Sequence, residues 1–150
     1  MNYKTVLALC LWLFSMKVTV AQTQPELTSN VGDQWISYFE NSELLIEVKK
    51  SDCVFESNGI KQQWLLFRYS NKTSENKEIS FNYDLYYDDV CKTCNSDEYE
   101  IQFDLGPNEV LEGKCDIMNN KQYKYAFIKH LDLKNYSVLT QFNFSNLSIK

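Results

Sequence analysis

Residues 77–88, KEISFNYDLYYD, decide the fold class. Ile79, Phe81, Tyr83, Leu85 and Tyr87 alternate with Ser80, Asn82, Asp84 and Tyr86. Side chains on a strand point to opposite faces with a period of two, so this pattern is a β-strand with one face turned to a core. Tyr86 is the exception in the outward set. It is an aromatic ring on the polar side, and it becomes the first candidate for ligand contact.

The same period extends in both directions. Upstream, residues 35–40 form one run, and residues 43–51 place Leu44, Ile46 and Val48 opposite Glu47 and Lys49. Asn58-Gly59 signals a turn. Residues 62–70 are apolar on both faces, which predicts a central strand. Downstream, residues 98–105 put Tyr99, Ile101, Phe103 and Leu105 inward, and Gly106-Pro107-Asn108 turns the chain. Further runs follow at residues 109–116, 122–131 and 138–149. β-branched and aromatic side chains fill these runs, and no helical period is sustained. About eight short strands separated by turn signals predict an all-β fold: a two-sheet antiparallel sandwich of immunoglobulin-like kind. A closed barrel is the alternative.

The N-terminus reads differently. Lys4 precedes an apolar run from Thr5 to Met16, which is short for a membrane span, and Val18-Thr19-Val20-Ala21 resembles a signal-peptidase site. Residues 1–21 are expected to be a secretory signal peptide, 22–33 an unpatterned leader, and 34–150 a single sandwich domain. Leu9 before Cys10 is wrong for lipidation. Cleavage would remove Lys4 and Lys17 and no acid, changing the formal charge from −5 to −7. An acidic chain without basic clusters repels nucleic acid, and no later segment is long and apolar enough to span a bilayer. The expected location is secreted, periplasmic or at the cell surface.

Four cysteines remain after Cys10: Cys53, Cys91, Cys94 and Cys115. An even count in an exported domain implies two disulfides. The stretch DDVCKTCNSDE, residues 88–98, has one close pair only, so it lacks the second pair or the histidines of a zinc site. Its acids would raise a thiol pKa, which is the wrong direction for a redox centre. If every connection reverses the chain, strand parity puts all four cysteines at one pole. Two connectivities then compete. Either Cys91–Cys94 closes locally while Cys53–Cys115 ties distant strands, or each member of the close pair reaches a distant partner. Effective concentration favours the first. Its long bridge would contribute about 3–4 kcal/mol through the unfolded chain.

Chemistry is otherwise sparse. His130 is the only histidine, and no nucleophile signature accompanies it. Four glycines in the chain supply no phosphate loop. The chain is therefore expected not to be an enzyme and to need no cofactor. Asp88, Asp89 and Asp97 are the candidate calcium ligands, although their spacing matches no known calcium loop. Ten tyrosines are many for this length. Tyr86, Tyr123 and Tyr125 are the candidates for stacking on a sugar or anchoring a protein. Asn71, Asn135, Asn143 and Asn146 head N-x-S/T sequons, acceptors only in a eukaryotic secretory route.

The run DLYYDDVCKTCNSDEYEIQFDLGPNEVLEGKCD, with YKYAFIKHLDL and SVLTQFNFSNLSI after it, resembles a group of small secreted proteins of flavobacteria and their relatives. The resemblance covers residues 35–149. Its most specific parts are the C-x-x-C beyond a Tyr-Tyr strand end and the L-x-P-N-E…E-G-x-C unit. It implies export and a β-rich fold and transfers no functional residue. The expected function is an exported, non-catalytic adhesion or binding module with a protein or glycan partner. The alternatives are a carbohydrate-binding module using exposed aromatics and a structural accessory of a membrane-associated assembly.

Overall fold

The computed structural model describes residues 31–56, 59–116, 121–134 and 136–150. The expected signal peptide, most of the expected leader, Asn58 and Asn135 lie outside the described residues.

Nine strands form two antiparallel sheets. They are β1 (Ile36–Glu40), β2 (Leu44–Phe55), β3 (Ile60–Asn71), β4 (Lys77–Tyr87), β5 (Val90–Cys91), β6 (Glu100–Leu105), β7 (Val110–Glu112), β8 (Tyr125–His130) and β9 (Leu139–Ile149). Single 3-10 turns at Asp97–Tyr99 and Gln122–Lys124 lead into β6 and β8. The first sheet is the meander β1-β2-β3, with β7 and β8 on the far side of β3. The second is built on β4, which pairs β9 along one edge and β6 and β5 along the other.

Each sheet therefore has one edge occupied in two halves. On β3, residues 68–70 pair with β7 and residues 62–66 with β8. On β4, residues 77–82 pair with β6, and Tyr86 and Tyr87 with β5. A split edge leaves backbone groups that need other partners.

The inward rows pack into one core. Leu44, Ile46, Val48, Leu65, Phe67 and Tyr69 come from the first sheet, and Ile79, Phe81, Tyr83, Ile101, Phe103, Leu105, Phe142 and Phe144 from the second. It is an aromatic core. Phe144 stacks on Phe81 at 4.3 Å and meets Phe67, Tyr38 and Tyr83 edge-on at 5.1 Å. Buried phenols need hydroxyl partners. Tyr38 finds its own on β9, donating to Asn143 Oδ1 at 3.0 Å, and three others find theirs on β8 and the turn before it. Tyr69 and Tyr83 both donate to the Tyr123 carbonyl, at 2.6 and 3.0 Å, and Tyr87 donates to the Phe127 carbonyl at 2.6 Å. Burial raises the ionisation of Tyr69 and Tyr83 well above the ordinary phenol value and pushes Tyr87 up to about 12.

Strand ends differ from the sequence expectation in two places. The second strand runs on to Phe55, which puts Cys53 inside it. The sixth expected run, 109–116, keeps only Val110–Glu112 as strand. The chain leaves the sheet at Gly113, whose N–H donates to Phe67 O at 2.8 Å. A Cβ there would lie 2.0 Å from the Lys124 carbonyl oxygen, so the exit and the return pass closer than any other residue allows.

Residues 113–116 thus form an excursion from a split edge strand, and residues 121–124 lead back to it. Cys115 lies on the excursion and bonds Cys53, with Cα atoms 5.3 Å apart. Cys53 belongs to the outward row of β2, buried with Trp64 and Leu66 in a second small cluster flanked by Trp35, Phe55, Tyr125 and Phe127. Cys53 and Cys115 meet on the outer face of the first sheet, two residues short of the β2 end. The small cluster explains why β3 is apolar on both faces.

Candidate functional site

The second disulfide joins Cys91 and Cys94, with Cα atoms 5.8 Å apart. Between them sits Thr93, which is 6% exposed. Its hydroxyl donates to Tyr83 O at 2.5 Å and accepts from Leu85 N at 2.8 Å, while Lys92 N donates to Leu85 O at 2.9 Å. These are the β4 groups left between β6 and β5. The CKTC ring is a staple that seats a side chain where a strand is missing. Thr93→Val is expected to destabilise by about 2–3 kcal/mol, because it leaves a buried carbonyl and a buried N–H unpaired. Thr93→Ser should retain most of the stability. Urea unfolding of both variants checks this, and a larger loss for Thr93→Ser than for Thr93→Val would show that the methyl, not the hydroxyl, matters.

Immediately after the ring, Asn95 takes a left-handed conformation (φ 58°). The following residues lean over the outer face of β4. On the other side, β9 bulges opposite Ser80–Asn82, with Asn146 also left-handed (φ 56°). Between the two lies a hollow of about 320 Å³. It is lined by Asn82 and Asp84 of β4, by Asn95, Ser96 and Asp97, and by Ser145 and Asn146 of β9. Asn146 Nδ2 donates to Asn82 Oδ1 at 3.3 Å. No cation and no aromatic ring is among the lining side chains.

Tyr86 follows Asp84 on this outer face, about 7 Å along the strand. It is half-buried and faces Gln141 of β9 and Cys91 of β5 across the ladder. The other two candidate tyrosines are elsewhere. Tyr123 packs against the main core, with its ring stacked on Phe103 at 4.2 Å. Tyr125 stacks on Trp64 at 4.3 Å, on the outer face of the first sheet. Neither adjoins the hollow.

That other face is occupied already. Trp35 lies between Lys49 and Arg68, with the cations 4.4 and 4.6 Å from its ring centre, and Arg68 makes a two-bonded pair with Glu47 at 2.6 and 2.7 Å.

The three candidate calcium ligands do not come together. Among the described residues no three acids, cysteines or histidines converge on a metal position. Asp88 instead caps the loop before β9. Its carboxylate accepts from Val138 N at 3.1 Å, and this bond, with one from Ser137, holds it below the usual carboxylate range. Asp88 and Asp89 both adopt left-handed backbone at the β4–β5 turn, while Asp97 lines the hollow. His130 is packed edge-on against Phe127 and Tyr136, at 5.0 and 5.1 Å. Of the sequons, Asn71 is buried, and its Nδ2 donates to the carbonyls of Glu75, Leu105 and Gly106. A glycan there would break all three bonds.

Nothing in the sequence marked the hollow, because each contributing segment reads as an ordinary polar turn or strand face. Comparison of the chain with protein-family models, with curated proteins and with solved structures gives no match.

Proposed function

We propose that the protein is an exported, non-catalytic binding module whose working surface is the outer face of the second sheet. The observation that carries this reading is the hollow. Three chain segments, one of them clamped by a disulfide, converge to make a concave polar surface on an otherwise regular sheet. Its volume is at the lower end of the range of small-molecule sites, and its lining is polar where those are mostly apolar. The first sheet carries an aromatic cluster on its outer face and, at β2, a hollow of about 410 Å³ lined by Gly32, Asp33, Lys49, Lys50, Ser51, Asp52 and Gln63.

Export is supported by the two disulfides, which persist in oxidising compartments. Among the described residues no helix is long and apolar enough to cross a membrane. Two antiparallel sheets with the chain crossing between them support the immunoglobulin-like reading. The consecutive β1-β2-β3 order is the chain's own feature.

The test is a charge insertion on each side. The labelled, oxidised chain is screened against immobilised polysaccharides and extracellular matrix proteins. Asp84→Arg is expected to abolish binding without lowering the melting temperature. Val110→Arg, at an exposed position on β7, should leave binding intact. Binding that survives Asp84→Arg would move the working surface elsewhere.

A further inference from the structure

We infer that the hollow and Tyr86 together form a subsite for a neutral saccharide. This rests on the binding-module reading and specifies its ligand. The lining offers two carboxylates (Asp84, Asp97), three carboxamides (Asn82, Asn95, Asn146) and two hydroxyls (Ser96, Ser145). A carboxylate only accepts hydrogen bonds, an amide both donates and accepts, and a hydroxyl does either. A pyranose presents the complement, adjacent hydroxyls that donate to a carboxylate and accept from an amide.

Charge narrows the class. No lysine or arginine lines the hollow, so a uronate, sialate, sulfate or phosphate would sit against Asp84 and Asp97 uncompensated. An amine would engage the carboxylates and the amide and hydroxyl oxygens but offer no acceptor to the amide N–H groups. A neutral sugar uses all three kinds of group.

Stacking supplies the remaining element. A pyranose also has an apolar C–H face, which packs on aromatic rings. Tyr86 continues the row Asn82–Asp84 on the same face, and it is the one aromatic side chain in that row. A sugar held by Asp84 in the hollow has its neighbour in an oligosaccharide placed toward Tyr86. Two to three linked sugars span the distance, so an oligosaccharide should bind better than its monosaccharide.

The experiment uses the oxidised chain on an array of defined neutral, carboxylated, sulfated and amino oligosaccharides, with titration calorimetry on the best neutral one. The expected result is binding to neutral members, insensitive to salt between 50 and 500 mM. Asp84→Asn and Asp97→Asn should each weaken it at least tenfold, and Tyr86→Ala about tenfold, all with unchanged melting temperature. Preference for acidic or amino sugars, or affinity indifferent to Asp84→Asn and Asp97→Asn, would overturn the assignment. If the array is silent while a matrix protein binds in an Asp84→Arg-sensitive way, the saccharide is wrong and the working face stands. If no binding anywhere depends on Asp84, both readings fail.

Discussion

Tyr83→Ala is expected to cost about 3–5 kcal/mol of unfolding free energy, whereas Tyr86→Ala, three residues along the same strand, should cost less than about 1 kcal/mol. Tyr83 is 2% exposed, and its ring contacts Phe67, Phe81 and Phe144 at 5.1–5.6 Å. Truncation removes a ring from a close-packed core and leaves a cavity among its aromatic neighbours. Tyr86 faces outward and has no ring neighbour of this kind.

The hydroxyl is separable from the ring. Tyr83→Phe keeps the packing and removes one of two donors to the Tyr123 carbonyl, so it should cost only about 1 kcal/mol. With Tyr69→Phe added, that carbonyl loses both donors, and the double variant should be destabilised by more than the sum of the singles. Thermal and urea unfolding of the two alanine variants, the two single phenylalanine variants and the double variant measure this. Equal losses for Tyr83→Ala and Tyr86→Ala would reverse the face assignment of β4 and remove Tyr86 from the saccharide subsite.

That face assignment was readable from residues 77–88 alone, because alternation on a strand is a local property. The inward rows of β2, β4 and β6 follow the same logic, and their Leu44, Ile46, Val48, Ile79, Phe81, Ile101 and Phe103 are buried. What was not readable is where the sheet edges break. β7 stops at Glu112 because the Lys124 carbonyl passes over Gly113 and because Cys53 draws Cys115 out of plane. Both causes are more than ten residues away, while the local residues at 109–116 still look like strand. The end of β2 was misplaced for a related reason. The alternation of residues 43–51 lapses at Asp52, whose side chain is exposed and accepts from Gln63 on the neighbouring strand as β2 continues.

The hollow was illegible for another reason. Asn95, Ser96 and Asp97 announce a turn, and Asn82 and Asp84 announce a solvent face. Only the tertiary arrangement places Asn146 of the β9 bulge opposite them. Thr93 gave no signal at all, because a threonine whose hydroxyl completes a sheet edge looks like any threonine.

The two disulfides occupy different places. At the β4 edge, the Cys91–Cys94 ring seats Thr93 in the gap between β5 and β6. Cys53–Cys115 ties the chain after β7 to the outward row of β2, where Cys53 lies opposite Gln62, five residues along β3 from the break at Phe67. The rings differ in size, and so should their effects. A bridge across three residues removes little freedom from the unfolded chain, so its contribution acts through Thr93. A bridge between residues 62 apart restricts the unfolded ensemble strongly, by about 4 kcal/mol in the loop-closure account. It also holds down the excursion beside Trp64 and Leu66, each 2% exposed.

Replacing Cys53 and Cys115 together by alanine is therefore expected to lower stability by about 4 kcal/mol and the melting temperature by roughly 15 °C. The Cys91→Ala/Cys94→Ala variant should fall by the smaller amount seen for Thr93→Val. Tryptophan emission gives an independent sign. Without the long bridge the folded Trp64 should redden and become quenchable, before global unfolding, as residues 113–116 loosen. With the short bridge removed it should not change. If the double alanine at 53 and 115 leaves the melting temperature within a few degrees and Trp64 unchanged, the excursion is held by Gly113 and the tyrosine hydroxyls alone. The disulfide would then be redundant with the hydrogen bonds that Tyr69, Tyr83 and Tyr87 make to the strand's return.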